Sequence, residues 1–356
     1  MSLAAAVRLI RPAPALRLLV LAVSDHCDQR CAHCQIWMGP RAPALSRAER
    51  LRVVEEALAA GIEEALLTGG EPLLAPDLWP VAERLRAGGA RLMLATNGMR
   101  LVRHAREVGA LFAEVYVSLD GATPSTHDGL RGVSAFAQLA AGVAALRACA
   151  PGVRITARST LHARNLHELE AMVEATRRLG VHHVSFLALD ASSSAFGGMP
   201  EARAALVPDA SAVAAFVEAV GRLEAAGALD GGFVLESAEK LRRLARHLDA
   251  SAGRRAFEPP ACDAPRWSVV VEADGRVRPC FFHAPVGDAR AGLAVVRGGA
   301  AYRAALHAIR RPNPVCARCV CPKKRAGGRL PALRLALPAL RLAMPALRLA
   351  MRWRAR

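Results

Sequence analysis

Three cysteines near the start of the chain, Cys27, Cys31 and Cys34, are spaced closely enough to bind one metal centre together. Thiolates are the usual ligands of iron–sulfur clusters. Three thiolates on a four-iron cluster leave one iron without a protein ligand, and a catalytic metal site needs such an open position. The alternative is a structural zinc ion, which takes four ligands and would need His26 or His33 to complete the set. Because no fourth cysteine lies near, the spacing favours a cluster with an open iron.

A second group of cysteines lies in the C-terminal part of the chain: Cys262, Cys280, Cys316, Cys319 and Cys321. Their close spacing in a chain of 356 residues favours metal or cluster ligation over disulfide bonds, and so predicts a reducing, cytoplasmic location. A zinc-ribbon-like site of Cys262, Cys280, Cys316 and Cys319 is the structural alternative. Cys149 stands alone between the two groups, and we expect it to be a small buried residue and not a ligand.

The formal net charge of +17 raises nucleic acid or an anionic membrane as a partner. The surplus is concentrated at one end, because residues 289–356 hold 16 of the 48 Lys and Arg residues and no Asp or Glu. Only three of these 48 basic residues are lysines. A general preference for Arg in the composition therefore explains the surplus of positive charge as well as selection for phosphate contact does. Nucleic acid is therefore not the expected partner. With 53% hydrophobic and 22% charged residues, the composition is that of a globular protein.

Short β-rich runs alternate with helical patterns from Leu16 to about Leu189. The apolar run Leu16–Val23 is shorter than the about 18 residues of a membrane span, and we interpret it as part of a buried strand. Six strands are predicted: Leu18–Ser24, Glu64–Thr68, Arg91–Thr96, Val115–Leu119, Val153–Thr160 and His182–Leu189. The predicted helices between them are Ser46–Ala60, Pro76–Ala87, Arg100–Gly109, Ser134–Cys149 and Leu166–Leu179. This alternation predicts an α/β protein with a partial (β/α)6 barrel of the TIM-like kind.

Residues with chemical potential follow the ends of these strands. In parallel β/α barrels the reactive groups come from the carboxyl ends of the strands, where the loops begin. Four strands lead to such residues: Ser24 to Cys27, Thr68 to Gly69-Gly70-Glu71, Thr96 to Asn97, and Leu119 to Asp120. We therefore expect these four loops to meet at one rim of the barrel.

The chain divides by composition into four segments. The barrel is expected over 16–190, a helical connection over 191–260 with helices at Asp209–Ala226 and Ser237–Leu248, and a cysteine-rich α+β module over 261–325. In that module Trp267–Glu272 and Val277–Phe282 are predicted to form a hairpin, with Cys280 in its second strand.

The segment 326–356 repeats Pro-Ala-Leu-Arg-Leu at 331–335, 338–342 and 345–349. Its regular prolines exclude one long helix. Two interpretations stay open: a membrane-surface segment and, preferred here, a low-complexity extension.

The first cysteine group resembles the signature of the radical S-adenosylmethionine (SAM) superfamily, including an aromatic residue, His33, before the third cysteine. Gly69-Gly70-Glu71-Pro72 resembles the second motif of that superfamily. The resemblance implies that the open iron binds SAM and that Glu71 accepts hydrogen bonds from its ammonium group. One-electron reduction would then yield methionine and a 5′-deoxyadenosyl radical. Whether SAM is consumed or recycled stays open.

Further residues match the third and fourth strands of that superfamily. The match places Ser118 and Asp120 near the SAM ribose or carboxylate, Arg131 beside the carboxylate, and Asn97 in polar contact with SAM or substrate. The alternative is an ordinary turn after the strand, followed by a solvated Arg131. No fifth-strand glycine pattern is evident over Val153–Thr160.

The C-terminal cysteines are similar to the SPASM or twitch extensions of this superfamily, which carry auxiliary four-iron clusters. The resemblance implies a small SPASM/twitch-like module over residues 261–325 that holds one auxiliary [4Fe-4S] cluster. Which four of the five cysteines ligate it is left open.

The resemblance also bears on the partners. It implies a peptide or protein substrate, a small molecule or lipid being the alternative, and an electron donor such as a flavodoxin or ferredoxin. A zinc-dependent nucleic-acid-binding protein is the alternative from another class.

Overall fold

The computed structural model describes residues 15–38, 43–193, 195–197, 200–309 and 313–321. Its strands are β1 Leu18–Ser24, β2 Glu64–Gly69, β3 Arg91–Thr96, β4 Glu114–Ser118, β5 Arg154–Leu161, β6 His183–Ala188, β7 Ser268–Val271, β8 Arg276–Arg278 and β9 Gly287–Asp288. In the described residues they form one sheet in the order β6-β5-β4-β3-β2-β1-β7-β8-β9. Strands β1 to β6 pair in parallel with their neighbours. The six predicted strands are confirmed to within a residue or two.

The helices are α1 Arg47–Ala59, α2 Leu78–Ala87, α3 Leu101–Leu111, α4 Pro124–Arg131, α5 Phe136–Cys149, α6 Leu169–Leu179, α7 Pro200–Ala204, α8 Ala210–Ala225, α9 Ala238–Ser251, α10 Leu293–Gly298, α11 Ala300–Ile309 and α12 Pro314–Ala317. Helix α1 begins at a capping box in which Ser46 and Glu49 bond each other's backbone N–H groups. Helices α4 and α6 end at glycines with positive φ, Gly132 and Gly180. These local signals fix where the helices begin and end; the five helices predicted between the strands are present, but the helix Pro124–Arg131 was not predicted.

The two faces of the sheet bury different residues, as alternation along a strand requires. Leu19, Leu21, Val115 and Val117 belong to the large core under the helices. A smaller apolar cluster on the inner face contains Leu18, Val20, Met93 and Val270, with Tyr116 and Phe281 packed against it. The helices therefore cover one face, and the inner face is that of the predicted partial barrel.

The C-terminal hairpin extends the same sheet. Strand β7 pairs in parallel with β1, from Leu18 opposite Ser268 to Leu21 opposite Val271, and in antiparallel with β8. The predicted hairpin is confirmed, but Cys280 lies two residues beyond β8 and not within it. All four residues of β7 are buried, which requires neighbours on both sides of the strand.

The segment around Val234 and Glu236 packs directly on the far edge of the sheet. A short bridge joins Val234 to Val184 of β6. The buried carboxylate of Glu236 accepts hydrogen bonds from the Ser185 hydroxyl at 3.0 Å and the Phe186 N–H at 2.8 Å. This segment therefore closes the free edge of β6. The proposed boundaries at 190, 260 and 325 stay predictions.

The turn that precedes α10 is attached to α1 by polar contacts. Arg290 forms an ion pair with Glu49 at 3.1 Å, and Arg52 donates to the Arg290 carbonyl oxygen at 3.0 Å. Predictions about the 326–356 repeats, including a membrane-surface role, lie outside the described residues. Within those residues, no single helix is both long and apolar enough to cross a membrane; the bent pair α4 and α5, at 103°, meets that test only when joined.

Candidate active site

The loop that follows β1 holds Cys27, Cys31 and Cys34, as predicted from their spacing. Their thiols lie near one another: burial, together with the charge on Cys31, raises the pKa of Cys27 to about 11 and that of Cys34 to about 12. Thiols in such surroundings stay protonated until a positive partner binds. The loop therefore gathers three soft ligands that a metal centre would deprotonate.

Arg131 supplies a buried positive charge beside these thiols. Its Nη1 lies 3.5 Å from Cys31 Sγ and 3.4 Å from Gln29 Oε1. Burial raises the pKa of Cys31, and the guanidinium of Arg131 opposes that effect. Arg131 is only 6% exposed, so the structure excludes the alternative of a solvated arginine. Arg131 therefore offsets part of the effect of burial, while the pKa of Cys31 stays above its ordinary value.

The two glycines of the Gly69-Gly70-Glu71 motif allow the β2 loop to contact the backbone of the cysteine loop. The N–H of Gly70 donates to the Ser24 carbonyl at 2.8 Å, and that of Glu71 donates to the His26 carbonyl at 2.7 Å. A Cβ on Gly70 would lie 2.3 Å from the His26 oxygen. At both Gly69 and Gly70, a side chain would clash with the backbone at the end of β1 or in the loop after it, so glycine is required there.

Glu71 is fully buried at the start of the short 3₁₀ turn Pro72–Leu74. Its carboxylate accepts hydrogen bonds from Leu73 N at 3.0 Å, Thr96 Oγ1 at 2.7 Å and Asn97 N at 2.7 Å. Burial raises the pKa of Glu71 to about 7, although these donors favour the charged form. Glu71 thus joins the ends of β2 and β3, and its contact with a SAM ammonium group stays a prediction.

Asp28 connects Asn97 to the cysteine loop, and sequence reasoning missed it. Its carboxylate accepts from Asn97 Nδ2 at 2.7 Å and from Arg100 Nε at 3.0 Å. The sequence signal that could have identified Asp28 is its position directly after Cys27, the first of the three predicted ligands. Asn97 is 6% exposed, and its amide is oriented by this contact.

Asp120 and Arg131 form a buried ion pair at 2.5 Å. The other carboxylate oxygen of Asp120 accepts from the Thr160 N–H at 2.8 Å. Burial opposes ionisation of Asp120, but Arg131 outweighs it and the pKa of Asp120 lies below its usual range. Ser118, at the end of β4, is half-buried and pairs in register with Arg158 of β5. The structure therefore brings Cys31, Arg131 and Asp120 together, with Ser118 two residues from Asp120.

Three buried or half-buried histidines surround Asp120, and the sequence analysis gave a role to only one of them. His33 Nε2 lies 3.6 Å from Asp120 Oδ2, and the His33 and His162 rings are 5.7 Å apart. His127 Nδ1 accepts from the Asp120 N–H at 3.2 Å. Burial lowers the pKa of all three to about 4. His162 follows β5 directly, so the rule that reactive groups follow strand ends would have found it.

The C-terminal cysteines are also brought near one another. Burial, together with charges on Cys262, Cys321 and Cys316, raises the pKa of Cys280 to about 11. Cys319 is buried, and its pKa is raised by burial and by Cys321, Cys280 and Cys262. His283 Nε2 lies 3.3 Å from Cys316 Sγ, a contact that sequence reasoning missed.

Cys149 is exposed at the last residue of α5, so the prediction that it is buried is wrong. The buried stripe of that helix runs through Leu139, Val143 and Leu146. Position 149 falls one turn beyond its end, where the core no longer covers the helix.

The first cysteine loop fits a negatively charged cluster by its chemistry. Thiolate ligands select zinc, copper(I) or iron–sulfur clusters. Two buried donors beside Cys31, Gln29 Nε2 and Arg131 Nε, have no hydrogen-bond partner among the described residues. In the described part of the chain, no three His, Cys, Asp or Glu side chains lie in a geometry that could hold a metal ion. Of the two histidines considered for zinc, His26 is bonded to Asp25 at 2.7 Å and His33 faces Asp120.

Residues 21–176, which extend from β1 into α6, match the model of the radical SAM superfamily. Among curated proteins the chain is 34% identical over 180 residues to an AdoMet-dependent heme synthase of Methanosarcina barkeri, covering 48% of this chain and 50% of that protein. It is 28% identical over 158 residues to the mycofactocin maturase MftC of Mycobacterium tuberculosis, covering 43% and 40%. The chain thus spans about half the length of the curated relatives it matches. By their names these relatives are enzymes.

Solved structures with the same fold include Streptococcus suis SuiB bound to precursor peptide SuiA, with a TM-score of 0.64 and 14% identity over 86% of this chain and 72% of that one. The structure of anSMEcpe with bound AdoMet and Cp18Cys peptide gives a TM-score of 0.61 and 15% identity, covering 85% and 86%. At this identity the likeness concerns the fold, and it confirms the α/β fold-class prediction.

Proposed function

We propose that this chain is a radical SAM enzyme that reductively cleaves S-adenosylmethionine at a [4Fe-4S] cluster held by Cys27, Cys31 and Cys34. The observation that carries the proposal is the placement of three thiols in one loop after β1, with the buried Arg131 3.5 Å from Cys31. The family match over residues 21–176 supports it. When bound, the cluster supplies one electron to SAM and so gives the 5′-deoxyadenosyl radical.

The chain's own residues would hold and orient the cofactors. Cys27, Cys31 and Cys34 would hold the cluster as thiolates, and Arg131 would compensate the negative charge that they introduce. Asp120 fixes the Arg131 side chain, and Asp28 fixes Asn97 at the adjacent strand end. Gly70 and Glu71 hold the cysteine loop against β2 through their N–H groups, with Gly69 and Pro72 on either side of them, and Ser118 would offer a hydroxyl to SAM from β4.

The proposed substrate is a peptide or protein side chain. Three related proteins support this choice by their names: SuiB, solved with a precursor peptide, anSMEcpe, solved with a peptide, and the maturase MftC. A small molecule is the second candidate, because the chain is 34% identical to a heme synthase and 32% identical to a GTP 3′,8-cyclase of Pseudomonas aeruginosa over about half its length.

One auxiliary [4Fe-4S] cluster completes the proposal. Four of the five C-terminal cysteines would ligate it, since their thiols are grouped and Cys280 and Cys319 are well buried. A flavodoxin or ferredoxin in a reducing cytoplasm would supply the electrons.

The proposal is tested by 5′-deoxyadenosine formation from SAM in anaerobically reconstituted, reduced protein. The variant with Cys27, Cys31 and Cys34 replaced by alanine is expected to form none. Cys149→Ala is the matched control, because that thiol is exposed and outside both cysteine groups, and it should retain wild-type activity. Equal activity in the triple variant, or none in the wild type, would contradict the proposal.

Substrate class is tested with the same preparation. A peptide substrate predicts that precursor peptides encoded beside the gene increase 5′-deoxyadenosine formation and change in mass. An increase with a porphyrin or nucleotide, and none with any such peptide, would favour the small-molecule alternative.

A further inference from the structure

Three phenylalanine side chains connect the two cysteine groups. The ring of Phe196 stacks on that of Phe281, with centroids 5.5 Å apart and planes inclined by 27°. Phe282 meets the Phe196 ring at 6.3 Å and the Phe281 ring at 6.4 Å. We refer to Phe196, Phe281 and Phe282 as the aromatic bridge.

One end of the aromatic bridge is attached to the first cysteine loop. The carbonyl oxygen of Phe196 accepts a hydrogen bond of 2.8 Å from the N–H of Gln35, the residue after Cys34. Gly197 packs against the same backbone, since a Cβ there would lie 2.3 Å from the Gln35 carbonyl carbon. The position of Cys34 is therefore coupled to the backbone of 195–197.

Phe196 adopts a conformation that needs support from its surroundings. Its φ of 57° makes it the sole non-glycine residue with positive φ in the described part of the chain. A bulky side chain adopts this region only where its contacts compensate the steric strain. Two contacts are present: the stack on Phe281, and the bond from the buried Arg203 to the Ser193 carbonyl at 2.6 Å, which holds the preceding residues.

The other end of the aromatic bridge is attached to the second cysteine group. Phe281 and Phe282 directly follow Cys280, which is buried near Cys262, Cys316 and Cys321. Phe281 also packs on the apolar cluster that contains Val270 of β7. A metal centre that fixed Cys280 would therefore fix the two rings on which Phe196 rests.

We propose that the aromatic bridge couples the two metal-binding regions, so that metal bound at the C-terminal cysteines holds the loop of Cys27, Cys31 and Cys34 in its binding conformation. Phe196 is the positioning residue of this device. The inference rests on the proposed metal binding by the C-terminal cysteines, but not on SAM cleavage. Because coupling between two sites is reciprocal, order in the first loop must also strengthen metal binding at the second.

The experiment isolates the second site. In full-length protein with Cys27, Cys31 and Cys34 replaced by alanine, Zn²⁺ can no longer bind through the first cysteine group. Hydrogen exchange of the peptide that contains Gln35 is then measured with and without Zn²⁺. Zn²⁺ is expected to slow its exchange roughly two- to tenfold, which is the range that one aromatic contact supports.

Adding Phe196→Ala to that protein should abolish the slowing at Gln35 while Zn²⁺ still protects the peptides around Cys280. Phe196→Tyr, which keeps the stacking ring, should restore it. Phe233→Ala is the matched control, because its ring contacts Arg177 and belongs to neither cysteine group. Should Phe196→Ala fail to fold, Phe281→Ala replaces it and the same loss is expected.

Three results would overturn the inference. Zn²⁺ could protect 262–321 and leave Gln35 unchanged, Phe196→Ala could retain the slowing, or Zn²⁺ could fail to bind the C-terminal cysteines at all. None of these depends on SAM, so the proposed SAM cleavage is tested separately.

Discussion

Arg131 contacts two groups of the candidate site at once, the Asp120 carboxylate at 2.5 Å and the Cys31 thiol at 3.5 Å. All three side chains are buried, with Arg131 6% and Asp120 0% exposed. A buried ion pair contributes little net stability, but removing one partner leaves the other charge without compensation. The pair therefore fixes a cation beside the thiols, and its loss should be costly.

Arg131→Met should lower the free energy of unfolding by about 3–5 kcal/mol, because the Asp120 carboxylate would stay buried and unpaired. Urea unfolding measures this loss. Arg100→Met is the control: its pair with Asp28 is partly exposed and should contribute about 1 kcal/mol or less. A loss at Arg131 no larger than that at Arg100 would refute the importance of the buried pair.

Glu71 should make stability depend on pH. Burial raises its pKa from the ordinary value of 4.5 to about 7, so between these values the folded protein keeps a proton that the unfolded chain has released. This contribution is fully present below pH 4.5 and is lost as the pH rises to about 7, on the order of 3 kcal/mol in total. Urea unfolding at pH 5 and pH 7.5 should show the fall in wild type and a smaller one in Glu71→Gln. If the free energy of unfolding fell by the same amount between these pH values in both proteins, Glu71 would be excluded as the source.

At the scale of elements, the β2 loop is matched to the cysteine loop by its glycines. Gly70→Ala should destabilise the chain by about 1–3 kcal/mol and lower cluster incorporation, because the new Cβ would lie 2.3 Å from the His26 oxygen. Thermal unfolding and iron content measure the two effects. At Gly152 a Cβ meets nothing within 4 Å, so Gly152→Ala should change stability by less than about 1 kcal/mol. An equal loss of stability in Gly70→Ala and Gly152→Ala would contradict the proposed close packing of the β2 loop on the cysteine loop.

The elements of the barrel were predictable because their signals are local. The alternation of β-rich runs with helical patterns predicted strands β1 to β6. The positions of Cys27, Glu71, Asn97 and Asp120 after strand ends predicted that these residues lie at one rim. Pairing between residues more than 240 positions apart has no local signal, so the contact of β7 with β1 was missed. The Asp28–Asn97 and His283–Cys316 contacts were missed for the same reason, since each depends on how separate loops meet.

At the scale of the whole molecule, one sheet joins strands β1 to β6 to the C-terminal hairpin. Ending the chain after Pro260 would remove β7 and expose the edge of β1, whose Leu18 to Leu21 pair with it. We expect that fragment to aggregate or to lose cooperative unfolding, as measured by light scattering and circular dichroism. A chain ending at Cys321 keeps every described element and should fold. Equal behaviour of the two fragments would show that the barrel is independent of the hairpin.

The central claim is that the loop after β1 is a cluster site, and counting metals per chain tests it most directly. Anaerobically purified wild type should contain about eight irons with matching sulfide, four for each of two clusters. The Cys27, Cys31 and Cys34 alanine variant should keep about four, at the C-terminal cysteines. About four irons in the wild type would contradict the auxiliary cluster. Zinc without iron in the wild type, or an unchanged iron content in the triple variant, would contradict the claim itself.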